Sequence, residues 1–465
     1  MSSKDTNNSL FHFCSVNDYL MDNLKKGGLS FAALEKLNDP IEEQFYVLFP
    51  CNNKDFWKEM FVNYARSLFF AYSGILSNRT AEFILEEPFI PQGKLDYDIK
   101  NPFEKDFLSL CKVSPFLSFV DNISDDLNLL NNKKITLVHL EYIFSFISGF
   151  LLDLFQSYYV SIDVNPFPKN DYLQRIKEST NKKEPEEIKE YIVNCIKEFI
   201  SSNPDSNDDL LNYAIYRDVV KDLHINVLIN KEKAEIYSKC FSKNIIFLRK
   251  DFSSKYCAKL KSLMFPKAFS LSFTRYYANP VMWSHYGDNH CGVCLELDKN
   301  KFEECLSPSK TKLTDGRLCD VNYVDKIPNF DFISNLYNLH DVIKTKLWKK
   351  TSKLIDKDKK TDSSFVARSF KQLDWINEAE TRALLLADYM NPYRHDERYF
   401  LKYGESLKAI YFGVRCERNK MIAVAQKISN TNVKFYKIFI DPKNESLKKY
   451  ELHFDNKKSA FTLIK

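Results

Sequence analysis

Two carboxylates and a guanidinium stand at alternate positions in the segment EAETR, as Glu378, Glu380 and Arg382. On a strand, alternate residues leave from one face, so these three would share a surface with Ala379 and Thr381 turned away. Adjacent like charges raise at least one carboxylate pKa, whereas a neighbouring arginine favours ionisation. Such a set can hold one anion and one proton carrier, the outfit of an electrostatic or acid–base site. The same spacing also describes a solvated strand edge with an ordinary Arg–Glu pair. A second concentration lies upstream, in FSLSFTRYYANPVMWSHYGDNHCGVCLELD from Phe269 to Asp298. Trp283, His285 and Tyr286, with Tyr276 or Tyr277, offer rings that could stack on a base, and Arg275 and Arg382 could meet phosphates.

The HYGDNHCGVC stretch contains both H-x4-H and C-x-x-C, which would bring His285, Asp288, His290, Cys291 and Cys294 together as metal ligands. A structural zinc needs a second ligand pair, and Cys240, Cys257, Cys305 and Cys319 show no matching spacing. No metal is therefore expected. Neither a G-x-S-x-G elbow nor a glycine-rich phosphate loop followed by Lys and Ser/Thr occurs, and no G-x-G-x-x-G dinucleotide fingerprint is present. Serine hydrolases, phosphate-loop enzymes and dinucleotide-fold oxidoreductases are disfavoured accordingly.

The elements that must position these residues fall at the two ends of the chain. Leu10 to Ser15 reads as a strand, and Asn17 or Asp18 can cap a helix that stops at Gly27 and Gly28, after which Leu29 to Ala32 is extended again. Between Ile41 and Pro266 the apolar residues recur at helical spacing: Phe56, Met60 and Tyr64; Ile143, Ile147, Phe150 and Leu154; Ile188, Ile192 and Ile196. After Pro266 the period shortens to two, with strands expected over 268–273, 293–297, 316–324, 379–387, 407–412, 433–440 and 449–454. Asn279 with Pro280 behind it marks a brief helical turn over NPVMWSHYG. A helix is expected over 329–355 and a solvated loop over 354–364. The fold class that follows is α+β: a mixed β-sheet core from residues 1–45 and 266–465, with a large α-helical insertion at 46–265.

Composition sets the outer bounds. The 465 residues carry a net charge of only +5, their 67 basic residues mixed among 62 acidic ones, so nucleic-acid binding is left open but not signalled. Eleven cysteines without regular spacing and an amino terminus MSSKDTNNSL with no apolar signal core point to a reduced cytoplasm. The longest apolar run, Tyr142 to Val160, is interrupted by Asp153 and Gln156, so it reads as a buried helix and not as a membrane span.

The MWSHYGDNHCG core resembles the signature of a bacterial family catalogued as domain of unknown function 2971. Three other places resemble the family in its order: the LNDP element with Asn38, Asp39, Pro40 and Glu42 or Glu43; K-x-x-D-W-x-x-E-x-E-x-R over Lys371 to Arg382; and the strand LKAIYFG, Leu407 to Gly413. The layout also resembles, more distantly, that of the ADP-ribosyltransferase superfamily, with His12, Tyr286 and Glu380 in the order of a histidine, tyrosine and glutamate site. That likeness implies NAD as substrate and cleavage of its nicotinamide–ribose bond, as in an ADP-ribosyltransferase or NAD-cleaving effector of a toxin or anti-phage defence system. It gives Glu380 the developing positive charge, Glu378 an acceptor nucleophile, Tyr286 the nicotinamide and His12 the adenosine ribose, with Trp283, His285 and Arg382 completing the nucleotide site. The acceptor, whether protein, nucleic acid or water, is left open. On this reading Glu380→Gln should leave folding nearly unchanged and abolish turnover. The alternative is a non-catalytic nucleotide or nucleic-acid binding module, which explains the aromatics without the paired glutamates.

Overall fold

Gly27 sits in the left-handed region at φ 69°, closing a helix that Asn17 opens by accepting from the Leu20 amide. That start and stop turn the chain through strand β1 (Ser9–Cys14), helix α1 (Asp18–Lys26) and strand β2 (Gly28–Ala33). The computed structural model describes residues 8–37, 46–49, 54–76, 102–113, 135–162, 251–265, 267–313, 315–326, 328–332, 364–387, 397–428 and 432–464, with isolated residues at 117–124, 194 and 248. Asn38, Asp39, Pro40, Glu42 and Glu43 lie outside the described residues, as do Ile188, Ile192, Ile196 and the loop over 354–363.

The chain divides into two units, one of residues 1–45, 266–328 and 361–465, the other of 46–265 and 329–360. In the first unit the elements continue as β3 (Ala268–Thr274), α2 (Pro280–His285), β4 (Val293–Asp298), α3 (Lys299–Cys305), β5 (Asp315–Asp320) and β6 (Asn322–Val324). After them come β7 (Phe370–Gln372), β8 (Glu380–Leu386), β9 (Arg398–Lys402), β10 (Leu407–Phe412), α4 (Arg418–Gln426), β11 (Lys434–Ile440), β12 (Leu447–Asp455) and β13 (Ala460–Leu463). Eleven strands form one sheet, in the order β9-β2-β3-β1-β4-β10-β11-β12-β13, with β8 paired to β3 and then to β5. The sheet is mixed: β10 and β11 run parallel, joined by the α4 crossover, while the other pairs are antiparallel. The α+β class read from the sequence is what the structure has.

Strand β3 holds the middle. One edge pairs with β8 along its whole length, from Thr274 opposite Glu380 to Ala268 opposite Leu386. Its other edge is shared, with β2 taking Phe269 and Ser270 and β1 taking Thr274. Alternation then sorts the side chains. One face carries Leu10, Phe269, Leu271, Phe273, Leu295 and Ala383 into a core closed by Leu20 and Leu24 of α1, Phe302 of α3 and Val424 of α4. The opposite face carries Phe11, Phe13, Cys294 and Tyr411 and is covered by Met282 and Trp283 of α2. The candidate site lies on this second face.

The other unit contains a three-stranded sheet in which Tyr46–Phe49 pairs with Ile135–Thr136 and with Asn329–Asp331. Residues 329–331 are thus strand where the sequence reading expects a helix from 329, because they add to the edge of Tyr46–Phe49; they belong with 46–265 and not with the carboxyl-terminal segment. Helices Lys54–Leu76 and Leu137–Ser161 bury Phe56, Met60, Tyr64, Ile143, Ile147 and Phe150 as their spacing marks, while Leu154, the last of that series, is only partly buried. Tyr64 stacks on Phe144 at 3.9 Å and its hydroxyl meets Ser148 Oγ at 2.6 Å. Among the described residues one helical stretch, His139–Ser161, is long and apolar enough to cross a membrane, and 65% of its apolar window is buried inside the protein, as in a core helix.

Candidate functional site

Glu378 does not stand on the strand. Residues Leu373–Glu378 form a 3-10 turn, and Ala379 takes the left-handed conformation at φ 46° before β8 begins at Glu380. The strict alternation expected of EAETR therefore holds for Glu380 and Arg382 but not for Glu378, which a backbone turn delivers to the same place. What joins them is Lys371, whose ammonium lies 2.7 Å from Glu378 Oε2 and 3.3 Å from Glu380 Oε2. Arg382 clamps the other side of Glu380, Nε to Oε1 at 2.8 Å and Nη2 to Oε2 at 3.2 Å, and donates through Nη1 to the Arg368 carbonyl at 3.1 Å. Tyr286 donates its hydroxyl to Glu378 Oε1 at 2.9 Å. Two anions, two cations and a phenol thus form one connected network.

The network is dry. Glu378, Glu380, Arg382 and Lys371 are 2%, 4%, 1% and 6% exposed. Burial pushes the Glu380 carboxyl up, but the charges and hydrogen bonds of Arg382 and Lys371, with a bond from the Ser272 side chain, outweigh it and hold the group at about 2. The solvated strand edge offered by the sequence is therefore not what forms. Tyr286, half-buried, has its pKa raised by burial and by Glu378, so its hydroxyl keeps its proton and acts as a donor. Counting acceptors separates the two glutamates. Glu380 receives two bonds from Arg382, one from Lys371 and one from Ser272, which fills the roughly four lone-pair sites of a carboxylate; Glu378 receives one each from Tyr286 and Lys371. Glu378 is the carboxylate with capacity to spare.

The signature segment supports this arrangement from the side. Asn279 caps α2 by accepting from the Val281 and Met282 amides and donates its amide to the Asn377 carbonyl at 2.7 Å, tying the helix to the turn that ends at Glu378. After α2, Asp288, Asn289 and His290 take successive positive φ values of 51°, 50° and 68°, a left-handed turn built from residue types that tolerate it. His290 stacks on Trp283, and the Arg415 amide donates to the His290 carbonyl at 2.9 Å. A Cβ on Gly413 would collide with that carbonyl, and one on Gly292 with the Cys14 carbonyl, so both glycines mark close backbone approach. Much of the D-N-H-C-G string is thus scaffolding.

The remaining candidates separate. Trp283 is fully buried, edge-on to Phe13 at 4.9 Å with its indole N–H on the Tyr277 carbonyl, so it presents no face to a ligand. Arg382 is committed to Glu380 and closed to phosphate. His285 is exposed, its ring 6.3 Å from Tyr286 and 6.4 Å from Trp375, whose own ring lies 4.9 Å from the Lys371 ammonium. His12 belongs to the other face of the sheet: its Nδ1 meets the Ser272 carbonyl at 2.9 Å, its ring packs edge-on against Phe273, and it lines a cleft with Cys14, Asn17, Tyr19, Asn23 and Ser30. Strand alternation puts it opposite Phe11, so it does not join Tyr286 and Glu380 in one pocket. Burial lowers its pKa, against a smaller opposing effect of the Ser272 carbonyl.

Cys294 is buried among Phe11, Phe13 and Tyr411, and burial pushes its thiol well up, whereas Cys291 lies in the loop; among the described residues no group of three or more His, Cys, Asp or Glu side chains could hold a metal. Lys371 is given no role by the sequence reading although it opens the K-x-x-D-W motif, and its spacing of seven and nine residues from the glutamates was the signal that could have found it. Ser272 and Tyr323, whose hydroxyl accepts from the Glu380 amide at 2.8 Å, carry no such signal.

Comparison with curated proteins and with solved structures gave no match to the chain. Residues 282–383, which run from the start of the MWSHY turn through Lys371, Glu378, Glu380 and Arg382, match the model of a family described as "Protein of unknown function (DUF2971)", and over that stretch the chain is similar to it.

Proposed function

We propose that this protein acts on NAD or a related nucleotide, breaking the nicotinamide–ribose bond, with Glu378 as the carboxylate at the reacting sugar. The observation that carries the reading is the meeting of Tyr286 with Glu378 at 2.9 Å across 92 residues of sequence, on a buried network that ties Glu378 through Lys371 to Glu380. When the C–N bond breaks, its electron pair leaves with the nicotinamide nitrogen and the ribose becomes oxocarbenium-like. A fixed anion beside that sugar is worth more in a dry site than in water. Lys371 and Arg382 balance the two glutamates, so an added positive charge finds a neutral cluster with a polarisable anionic edge. Tyr286, His285 and Trp375 supply the rings nearest that edge, suited to a nicotinamide face. A water or macromolecular hydroxyl or amine would then attack the sugar and release a proton.

The test is nicotinamide release from NAD by the purified full chain, with and without cell extract as a source of acceptors, beside Glu378→Gln. Release that falls at least about 100-fold in Glu378→Gln, the order of loss when a single charge-stabilising group is removed, supports the reading. The full occupancy of Glu380 favours a second reading, a nucleotide-binding module in which the ion network is only a rigid floor. Nucleotide binding without release under any condition would establish that one instead.

A further inference from the structure

We infer a second binding element on the same sheet face, a subsite for the phosphates of a nucleotide centred on Lys449. It deepens the nucleotide reading above and rests on it for the identity of the ligand. The strand registers set Glu380, Thr274, Phe11, Glu296, Ala409 and Lys434 side by side in one row across β8, β3, β1, β4, β10 and β11. Side chains of residues directly opposite one another leave from the same face, so the carboxylate network and Glu296 lie on one surface. Three inter-strand steps of roughly 4.8 Å put them about 14 Å apart, within the length of one extended dinucleotide.

Around Glu296 the sequence supplies an unusual set. Tyr277, Tyr411 and Tyr436 stack with ring centroids 5.0 and 4.9 Å apart and interplanar angles of 20° and 24°. Lys449 of β12 reaches over all three, its ammonium 5.0, 5.0 and 4.4 Å from their centroids, and donates to the Tyr411 hydroxyl at 2.9 Å. Tyr411 donates its hydroxyl to Glu296 Oε2 at 2.5 Å, while Ser9 donates to Oε1 at 2.7 Å.

The charges decide what such a place would take. Lys408 pairs with Glu296 at 3.3 Å and Lys434 with Glu451 at 3.3 Å, whereas Lys449 has no carboxylate within ion-pair distance among the described residues. Three ammonium groups face two carboxylates, and one positive charge is left over. Burial raises the pKa of all three tyrosines, so none of them supplies the missing anion. Aromatic faces hold the ammonium in place without neutralising it. Lys449 itself is exposed, and the rings of Tyr277 and Tyr436 are half-exposed beside it. An oriented cation with surplus charge flanked by open rings is the complement of a phosphate carrying a planar base. If Lys449 only capped the tyrosine stack, its removal would cost packing and leave ligand affinity alone.

Calorimetric titration with ADP distinguishes the two, using the full chain and Lys449→Met, which keeps the aliphatic stem. The expected result is that ADP binds the unaltered chain and that Lys449→Met weakens it at least about tenfold with an unchanged melting temperature. Lys449→Arg should retain most of the affinity. Equal affinity in Lys449→Met, or no binding of ADP at all, would overturn the subsite. Its fate is separable from that of the enzymatic reading: ADP binding that depends on Lys449 in a chain that releases no nicotinamide keeps the subsite and removes the reaction, and nicotinamide release with Lys449-independent ADP binding does the reverse.

Discussion

Glu380→Gln is the substitution for which sequence and structure expect opposite things, and the structure sets its size. From the sequence the change should spare folding. In the folded protein Glu380 is 4% exposed and is the acceptor that both Arg382 and Lys371 point at. A glutamine keeps one acceptor oxygen but carries no charge and turns an NH2 toward a guanidinium or an ammonium. Lys371 keeps Glu378 at 2.7 Å; Arg382 keeps only the Arg368 carbonyl among its bonds given above. Breaking one partner out of a buried pair costs on the order of 3–5 kcal/mol. Linkage gives an independent figure: a carboxyl lowered from 4.5 to about 2 on folding contributes on the order of 3 kcal/mol. The sign follows from the lowered folded value. The contribution is present above pH 4.5 and is lost as pH falls from there toward 2. Urea denaturation of the unaltered chain and of Glu380→Gln at pH 7, repeated stepwise down to pH 3, measures both. The expected outcome is a loss of about 3 kcal/mol at pH 7 that shrinks below pH 4.5, where the unfolded form of the unaltered chain takes up the proton while the folded carboxyl stays ionised. Since removing both partners of a buried pair costs less than removing one, Glu380→Leu with Arg382→Met should lose less than Glu380→Gln alone. A Glu380→Gln chain within about 0.5 kcal/mol of the parent at pH 7, the range of an ordinary surface change, would refute the argument.

Three further outcomes are expected. Tyr286→Phe removes one hydrogen bond to a charged group and should cost about 1.5–3 kcal/mol in denaturant stability, with nucleotide affinity changing by less than that of Lys449→Met; an unaltered stability would mean the Tyr286–Glu378 bond is not made. Gly413→Ala places a methyl against the His290 carbonyl and the Trp283 ring, an overpacking that should cost about 1–3 kcal/mol and loosen the left-handed turn, readable as faster amide exchange over 288–292. His12 is held neutral by burial, so folding loses stability as pH falls below its ordinary 6.5, where the unfolded chain takes up the proton first; His12→Asn should flatten that part of the melting-temperature profile between pH 7.5 and about 5.5, and an identical profile would show the ring titrates freely.

What could be read from the sequence was what local pattern determines. The helix start at Asn17 and stop at Gly27, the turn begun by Asn279 and Pro280, and the strands over 268–273, 293–297, 407–412 and 433–440 follow from short-range rules and are where the structure has them, whereas 316–324 divides into two strands and Phe370–Gln372, Arg398–Lys402 and Ala460–Leu463 are strands the spacing does not mark. Pairings between distant segments were not legible. Nothing in the sequence says that β3 would share one edge between β1 and β2; alternation along β1 sends His12 and Phe11 to opposite faces, and the pairing of Phe11 with Thr274, itself opposite Glu380, decides that Phe11 and not His12 shares the face of the carboxylates. The E-x-E segment shows the limit from the other side. Period-two spacing predicted a common surface for Glu378, Glu380 and Arg382, and they do share a network, yet through a left-handed Ala379 and a lysine seven residues upstream, not through the strand. Burial was the missing quantity, since a short charged motif reads as solvent-facing until its strand is known to lie between two others.

The signature and the carboxylates are best understood as one mechanical unit. Asn279 ties the start of α2 to the carbonyl of Asn377, one residue before Glu378, and Tyr286 at the end of the same helix bonds to Glu378 itself. Glu378 is thus held from both ends of a six-residue helix. That helix is in turn anchored by Trp283 against Phe13 and by the left-handed turn that docks on Gly413 and Arg415. Each attachment removes a freedom that a carboxylate on a 3-10 turn would otherwise have, and orienting a charged group before a ligand arrives is what allows it to act without reorganisation. A floor needed only for stability could have been built from apolar residues at no loss, because replacing a buried ion pair by well-packed hydrophobic groups is often neutral or favourable. Retaining two glutamates, a lysine and an arginine there, and fixing one glutamate from two sides, is a costlier arrangement whose gain is a defined charge at a defined point. On the proposed reading the chemistry falls to Glu378, because its carboxylate accepts two bonds where that of Glu380 accepts four.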